Sequence, residues 1–199
     1  MVDALSCIYP GEPYRLYQSI EHPAFDGWTV TRSDARLDMI LRGLYGVGFE
    51  SGPVLEVGCC TGRLGRHLAR HGYEVHGIDG YATVLDAAKL LAELFDLRIT
   101  YELRTDALAV VASRRWGAVV CPSVFHPMLA AGKVDEVVSI WRVCLTQADA
   151  LILDDAWPGD AGAPPWAALG FVEWLDRRLL APIVALGTTE GRTLYAVTP

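Results

Sequence analysis

Val54-Leu55-Glu56-Val57-Gly58-Cys59-Cys60-Thr61-Gly62-Arg63-Leu64 decides how this chain folds. A short run in which Val54, Leu55 and Val57 are apolar ends at Gly58, and beyond Gly62 the apolar positions Leu64 and Leu68 resume at helical spacing until Gly72. An apolar run closed by glycine reads as a buried strand, and the 3.6-residue period behind it as a helix. The segment is therefore a strand, a turn of small residues and a helix. Small residues let a ligand approach the backbone, and the helix N-terminus offers unpaired N–H groups and the positive end of a dipole to an anionic group. The dinucleotide fingerprint G-x-G-x-x-G would require glycine at 58, 60 and 63, but Cys60 and Arg63 hold two of these positions. An NAD-dependent oxidoreductase is thereby the weaker reading.

The same unit continues outward. Glu74–Ile78 reads as a strand, and Tyr81–Phe95 as a helix with Leu85, Ala88, Leu91, Ala92 and Phe95 on one side. Ile99–Leu103 makes a third strand. Trp116–Cys121 is apolar throughout apart from Gly117 and ends at Pro122, which cannot donate to a central ladder. A helix over Val134–Leu145 precedes a fifth strand, Ala150–Leu153, that runs into Asp154 and Asp155. Continuously apolar strands alternating with helices make a parallel sheet covered on both faces. The end of the chain differs: after a helical stretch, Trp166–Leu180, the runs Ile183–Leu186 and Thr193–Val197 are separated by a short turn around Glu190 and Gly191, which is hairpin spacing. The expected fold is a three-layer α/β sandwich with a mostly parallel seven-stranded sheet and an antiparallel C-terminal hairpin.

Upstream of the turn, Leu37, Ile40, Leu41 and Leu44 predict a helix from Ser33 to Tyr45, with Thr31 and Asp34 in the form of a capping box and Gly46 and Gly48 as the stop. Residues 1–30 are rich in proline and aromatics without a sustained period. Residues 1–50 therefore read as an arm and helix that form a lid on the domain at 51–199.

The 199 residues, 52% apolar, suffice for one core. Mean hydropathy is +0.25, yet no stretch reaches the roughly 18 uninterrupted apolar residues of a membrane span. The first thirty residues lack the basic and apolar sequence of a secretory signal, so a cytoplasmic location is expected. Five cysteines, Cys7, Cys59, Cys60, Cys121 and Cys144, show no C-x-x-C spacing and read as reduced thiols with no metal site. The formal charge of −7 opposes the phosphate-neutralising surface on which nucleic-acid affinity depends.

Glu56-Val57-Gly58-Cys59-Cys60-Thr61-Gly62 resembles the first motif of class I S-adenosylmethionine-dependent methyltransferases, (D/E)-x-G-x-G-x-G. The likeness extends over Ser51–Val197. Gly77-Ile78-Asp79 matches the acidic strand end that in this family hydrogen-bonds the cofactor ribose, with Gly80 and Tyr81 beside it. Thr105-Asp106-Ala107 matches the acidic contact to the adenine, Cys121 ends the fourth strand that faces the methyl donor, and the C-terminal hairpin matches the family's last two strands. The resemblance implies a Rossmann-like methyltransferase fold, S-adenosylmethionine as cofactor, and a cofactor site of Glu56, Gly58, Cys59, Cys60, Gly62, Asp79, Gly80, Tyr81, Asp106, Ala107 and Cys121. Cys60 stands where the family has its middle glycine. If that position needs a positive φ, its Cβ costs on the order of 1 kcal/mol.

Each of these residues also has a plainer reading: Gly58 and Gly62 as a tight turn, and Asp79 and Asp106 as helix N-caps. Glu56, at a buried strand end, needs partners such as backbone N–H groups or a cofactor ammonium if it is ionised. His126, in Ser123-Val124-Phe125-His126-Pro127, is the candidate general base, because an imidazole titrates near neutrality. Asp154 and Asp155 are poorer bases. Tyr14, Tyr17 and Trp28 are candidates for closing over the substrate and sulfonium, and Arg32 is a further substrate-side candidate, or one for the cofactor carboxylate. His67 and His71, four apart with no third ligand, read as surface or core-edge residues. The function this implies is methyl transfer to an oxygen or nitrogen of a small-molecule acceptor, with a homodimer open. A non-catalytic cofactor-binding or partner subunit of the same fold is the main alternative.

Overall fold

Val54 and Leu55 are adjacent, point to opposite faces of one strand, and are both fully buried. That is the physical content of the continuous apolar run: helices cover the sheet on each side, so neither face can be polar. The computed structural model describes residues 30–122, 124–130, 132–154, 173, 177, 181–189 and 192–198. The strands are β1 (Pro53–Val57), β2 (Glu74–Asp79), β3 (Ile99–Leu103), β4 (Trp116–Cys121), β5 (Ala148–Asp154), β6 (Ile183–Thr189) and β7 (Arg192–Val197). Between them lie α1 (Val30–Gly46), α2 (Arg63–Arg70), α3 (Ala82–Leu94), α4 (Ala107–Ala112), α5 (Phe125–Ala130) and α6 (Val134–Gln147).

The sheet order is β3-β2-β1-β4-β5-β7-β6. The first five strands pair in parallel, and β7 is antiparallel to both β5 and β6. Leu55, Val57, Val119, Cys121, Leu151 and Leu153 pack on one face against Val110 and Val111 of α4 and Val137, Ile140, Trp141 and Cys144 of α6. Val54, Val75, Ala118, Val120 and Ile152 pack on the other against Ile40, Leu41 and Leu44 of α1 and Leu64 and Leu68 of α2. The fold is thus the expected three-layer α/β sandwich. No helix among the described residues is long and apolar enough to cross a membrane.

Gly117, the interruption in β4, has a packing cause. A Cβ there would overlap the ring of Phe49, whose carbonyl accepts the Tyr73 hydroxyl at 2.9 Å and whose ring lies 5.6 Å from that of Tyr73. An aromatic pair lies across the strand because this residue has no side chain.

Several boundaries depart from the sequence expectations. The first helix begins at Val30 rather than Ser33, so Thr31 lies inside it and cannot be the cap of a capping box. Helix α5 was not foreseen, because Pro127 reads as a breaker; at the third helical position its missing N–H is one of the groups a first turn leaves unpaired anyway. The hairpin strands are longer than expected, with a register irregularity between Ala185 and Gly187 that the apolar pattern does not encode. Of the helix expected at Trp166–Leu180, Glu173 and Arg177 are described: both are helical and form an ion pair of 2.7 Å. The aromatic arm, with Tyr14, Tyr17 and Trp28, lies outside the described residues, as does Asp155.

Candidate active site

The chain winds outward from β1 through β2 to β3, then returns to the other side of β1 with β4. The direction of winding reverses between β1 and β4, and ligands of open α/β sheets bind outside the carboxyl ends of strands at such a reversal. The turn Gly58–Gly62 stands there. It is held on β2 by two bonds to one carbonyl, Gly58 N–H and Cys59 N–H donating to Ile78 O at 2.9 and 3.0 Å. Within the turn, Gly62 N–H donates to Cys59 O at 2.8 Å, and Gly62 O accepts Arg66 N–H at 2.9 Å to open α2.

Three residues of the turn have left-handed backbone: Gly58 at φ 71, Cys60 at φ 50 and Gly62 at φ 72. For the two glycines this conformation is unstrained; for Cys60 it carries the Cβ penalty that the sequence made conditional. No disulfide joins Cys59 and Cys60. Cys59 turns beneath the loop, 3% exposed, among Val84, Leu85, Ala88 and Tyr101, and burial pushes its thiol up.

Asp79 ends β2 and faces the turn. Its Oδ2 accepts the Cys60 N–H at 2.9 Å and its Oδ1 the Tyr81 N–H at 3.0 Å. The second bond is a local turn in which an aspartate accepts the N–H two residues on. The N-cap of α3 is Tyr81 rather than Asp79, so the plain capping role does not explain the carboxylate. Each oxygen has one bond described here, whereas an ionised carboxylate accepts about four. The carboxylate is half-buried, and its remaining acceptor capacity suits a pair of ligand hydroxyls. Gly80 is exposed, and the Tyr81 side chain is 63% exposed. Across the same edge, Asp106 caps α4 by accepting Ala109 N–H at 3.0 Å; Ala107 opens that helix. Leu103, at the end of β3 between these two corners, is 53% exposed.

Glu56 enters from below. It is 3% exposed, and its carboxylate lies against the first turn of α2, where a Cβ on Gly65 would come within 2.9 Å of Oε2. Helix α2 has no side-chain cap at Gly62; Glu56 reaches it from β1 instead and takes a hydrogen bond from Gly65 N–H. Burial raises its carboxyl from 4.5 to about 8, against the opposing effects of Arg66 and that N–H, while Asp79 pushes it further up. Burial thus favours the neutral acid. Oε2 has no hydrogen-bond partner among the described residues. Beside it, Arg66 is buried and donates to Thr61 O.

The structure separates the sequence-derived candidates into groups. Gly58, Cys60, Asp79 and Gly80 gather at one opening, with Tyr81, Asp106 and Ala107 along its edge. Glu56, Cys59 and Gly62 lie under it. Cys121 is fully buried in the α4–α6 core, so its side chain belongs to packing. His126 falls in α5 and Arg32 in the first turn of α1, with their side chains outside the description. His67 is partly exposed, 3.4 Å from Asp38 Oδ1, and its carbonyl faces His71 Nδ1 at 2.9 Å.

The sequence reading overlooked Tyr101 and Arg66. Gly77, a lone glycine inside β2, was the available signal, since such a residue marks a close approach: Tyr101 lies against it, and a Cβ there would come within 2.8 Å of its ring.

A family model for a methyltransferase domain matches residues 54–147. Ubiquinone biosynthesis O-methyltransferase of Coxiella burnetii is 35% identical over 68 residues, 34% of this chain and 29% of that protein. The matched part spans about a third of the length of such curated relatives. Among solved structures, monomeric WbdD superposes with a TM-score of 0.71 at 23% identity, covering 90% of this chain and 45% of that one. Magnesium protoporphyrin IX methyltransferase from Synechocystis PCC 6803, solved with bound S-adenosylmethionine, superposes at 0.70 and 17% identity, covering 99% and 95%. Identities this low speak for the fold alone.

Proposed function

We propose that this chain, residues 54–147 of which match a family model for a methyltransferase domain, is a class I S-adenosylmethionine-dependent methyltransferase that transfers a methyl group from S-adenosylmethionine to an oxygen or nitrogen of a small-molecule acceptor in the cytoplasm. The observation that carries this reading is the Asp79 carboxylate, aimed at the left-handed turn at the sheet's reversal point, with acceptor capacity beyond the two backbone bonds described.

When bound, the cofactor supplies a methyl carbon made electrophilic by its sulfonium. The protein's part is alignment and exclusion of water. Asp79 takes the ribose hydroxyls as charge-assisted bonds. Tyr81 and Leu103, both exposed, flank the adenine, and Asp106 has one oxygen left over from its cap for the amino group. Gly58, with Cys60 and the first turn of α2, receives the amino-acid end. His126 removes the acceptor proton, and Tyr14, Tyr17, Trp28 and Arg32 close over the acceptor.

A second reading has its own support. Cys60 places a Cβ, in a strained conformation, where the family's motif has glycine, and this favours a subunit that binds cofactor without turnover. Isothermal titration with S-adenosylmethionine, S-adenosylhomocysteine and NAD tests the cofactor. Micromolar binding of the first two with none of NAD is expected, and binding of neither sinks the proposal. An acceptor screen with labelled methyl donor then separates turnover from mere binding.

A further inference from the structure

We propose that Tyr101 is a positioning residue for the cofactor turn: three glycines on two other elements leave room for its phenol, and its hydroxyl fixes the turn from beneath. The inference rests on the cofactor site proposed above and assigns a role within it to a residue of β3.

Tyr101 sits opposite Gly77 in the β2–β3 register. Its ring crosses β2 at that point, where a Cβ on Gly77 would come within 2.8 Å of Cδ1 and 3.0 Å of the Cys59 Cβ. The hydroxyl then reaches the start of α2 and donates to Gly62 O at 3.2 Å. A Cβ on Gly62 would overlap that hydroxyl, and one on Gly65 would stand 3.2 Å from it. Gly62, Gly65 and Gly77 thus enclose a single side chain that is 7% exposed.

The hydrogen-bond accounting points the same way. Gly62 O has two lone pairs, and both are used, by Arg66 N–H at 2.9 Å and by Tyr101. Buried phenols need such a partner. The Tyr101 hydroxyl therefore ties the third strand to the residue where the turn becomes a helix, two residues beyond the bond between Asp79 and Cys60. Position 62 thus favours glycine on two counts, its φ of 72 and the Tyr101 hydroxyl where a Cβ would stand.

The test combines Tyr101→Phe, which keeps the ring and removes the bond, with Tyr101→Leu and Gly62→Ala. Amide hydrogen exchange of cofactor-free protein and titration with S-adenosylmethionine are the two readouts. In Tyr101→Phe, exchange at Gly62 and Arg66 is expected to accelerate about tenfold relative to amides of β5, and cofactor affinity to fall about five- to tenfold, as the loss of the hydroxyl's bond to Gly62 O together with its bond to the Arg66 side chain implies. Gly62→Ala is expected to be less harmful to exchange protection and folding when combined with Tyr101→Leu than alone. Exchange in the turn that is unchanged, or raised no more than in β5, overturns the proposal, as does a Gly62→Ala defect that Tyr101→Leu leaves undiminished. A wild-type chain that binds no S-adenosylmethionine overturns the cofactor reading instead, and the exchange result still decides the role of Tyr101.

Discussion

Asp79 Oδ2 lies 2.9 Å from the backbone nitrogen of Cys60, nineteen residues earlier in the chain. The carboxylate proposed to hold the ribose thus also holds the turn that faces it, so ligand contact and loop geometry are not independent at this position. Asp79→Ala removes both. Hydrogen bonds to a charged group contribute about 1.5–3 kcal/mol each, so cofactor affinity is expected to fall at least tenfold and up to several hundredfold. Titration calorimetry checks it; wild-type affinity in the variant would relocate the ribose.

Cys60 keeps a Cβ at φ 50. Cys60→Gly is expected to relieve strain on the order of 1 kcal/mol, partly offset by the greater freedom of glycine in the unfolded chain. A small rise in the urea midpoint and a tighter complex with S-adenosylmethionine should follow. A lower midpoint would mean that packing of the Cys60 side chain against the cluster around Cys59 outweighs the strain.

Glu56 gives the fold a pH dependence with a definite sign. Its folded-state value, about 8, lies above the ordinary 4.5. Between those values the unfolded chain has released a proton that the folded one retains, so this group's contribution is fully present below about pH 4.5 and is lost as pH rises toward about 8. Glu56→Gln keeps the shape without the titration. Urea midpoints from pH 5 to 9 should show a shallower decline in the variant, and parallel profiles would mean that Glu56 is ionised in the fold.

Gly117→Ala is expected to cost about 1–3 kcal/mol by overpacking, because its Cβ would overlap the Phe49 ring. Adding Phe49→Ala should cost less than the sum of the two single changes, with a coupling of about 0.5–3 kcal/mol. Denaturant melts of the four proteins measure it. Strict additivity would show that the ring is not what excludes a side chain from position 117.

The elements that were legible in the sequence are those whose signal is local. The buried strands from Val54 to Val57 and from Trp116 to Cys121 are apolar because both faces are covered, and the turn from Gly58 to Gly62 stands out because two glycines bracket a strand-to-helix change. Helix α5 was missed because Phe125-His126-Pro127 reads as a break, although proline is tolerated in a first turn. Cys121 was assigned to the cofactor by its place in a motif, but whether a strand-end side chain faces a ligand or the core depends on which helix packs against that face.

The sequence by itself determined the succession of the seven strands along the chain, the antiparallel hairpin, and the positions of Asp79 at the end of β2 and of Asp106 just ahead of a helix, since each is a local feature of the chain. Only the tertiary structure decided what those residues face. It brought Asp79 to Cys60, turned Cys59 away from the surface, buried Glu56 against the first turn of α2, and set Tyr101 under Gly62. Burial and long-range register produce these relationships, and both are properties of strands meeting side by side rather than of any one segment.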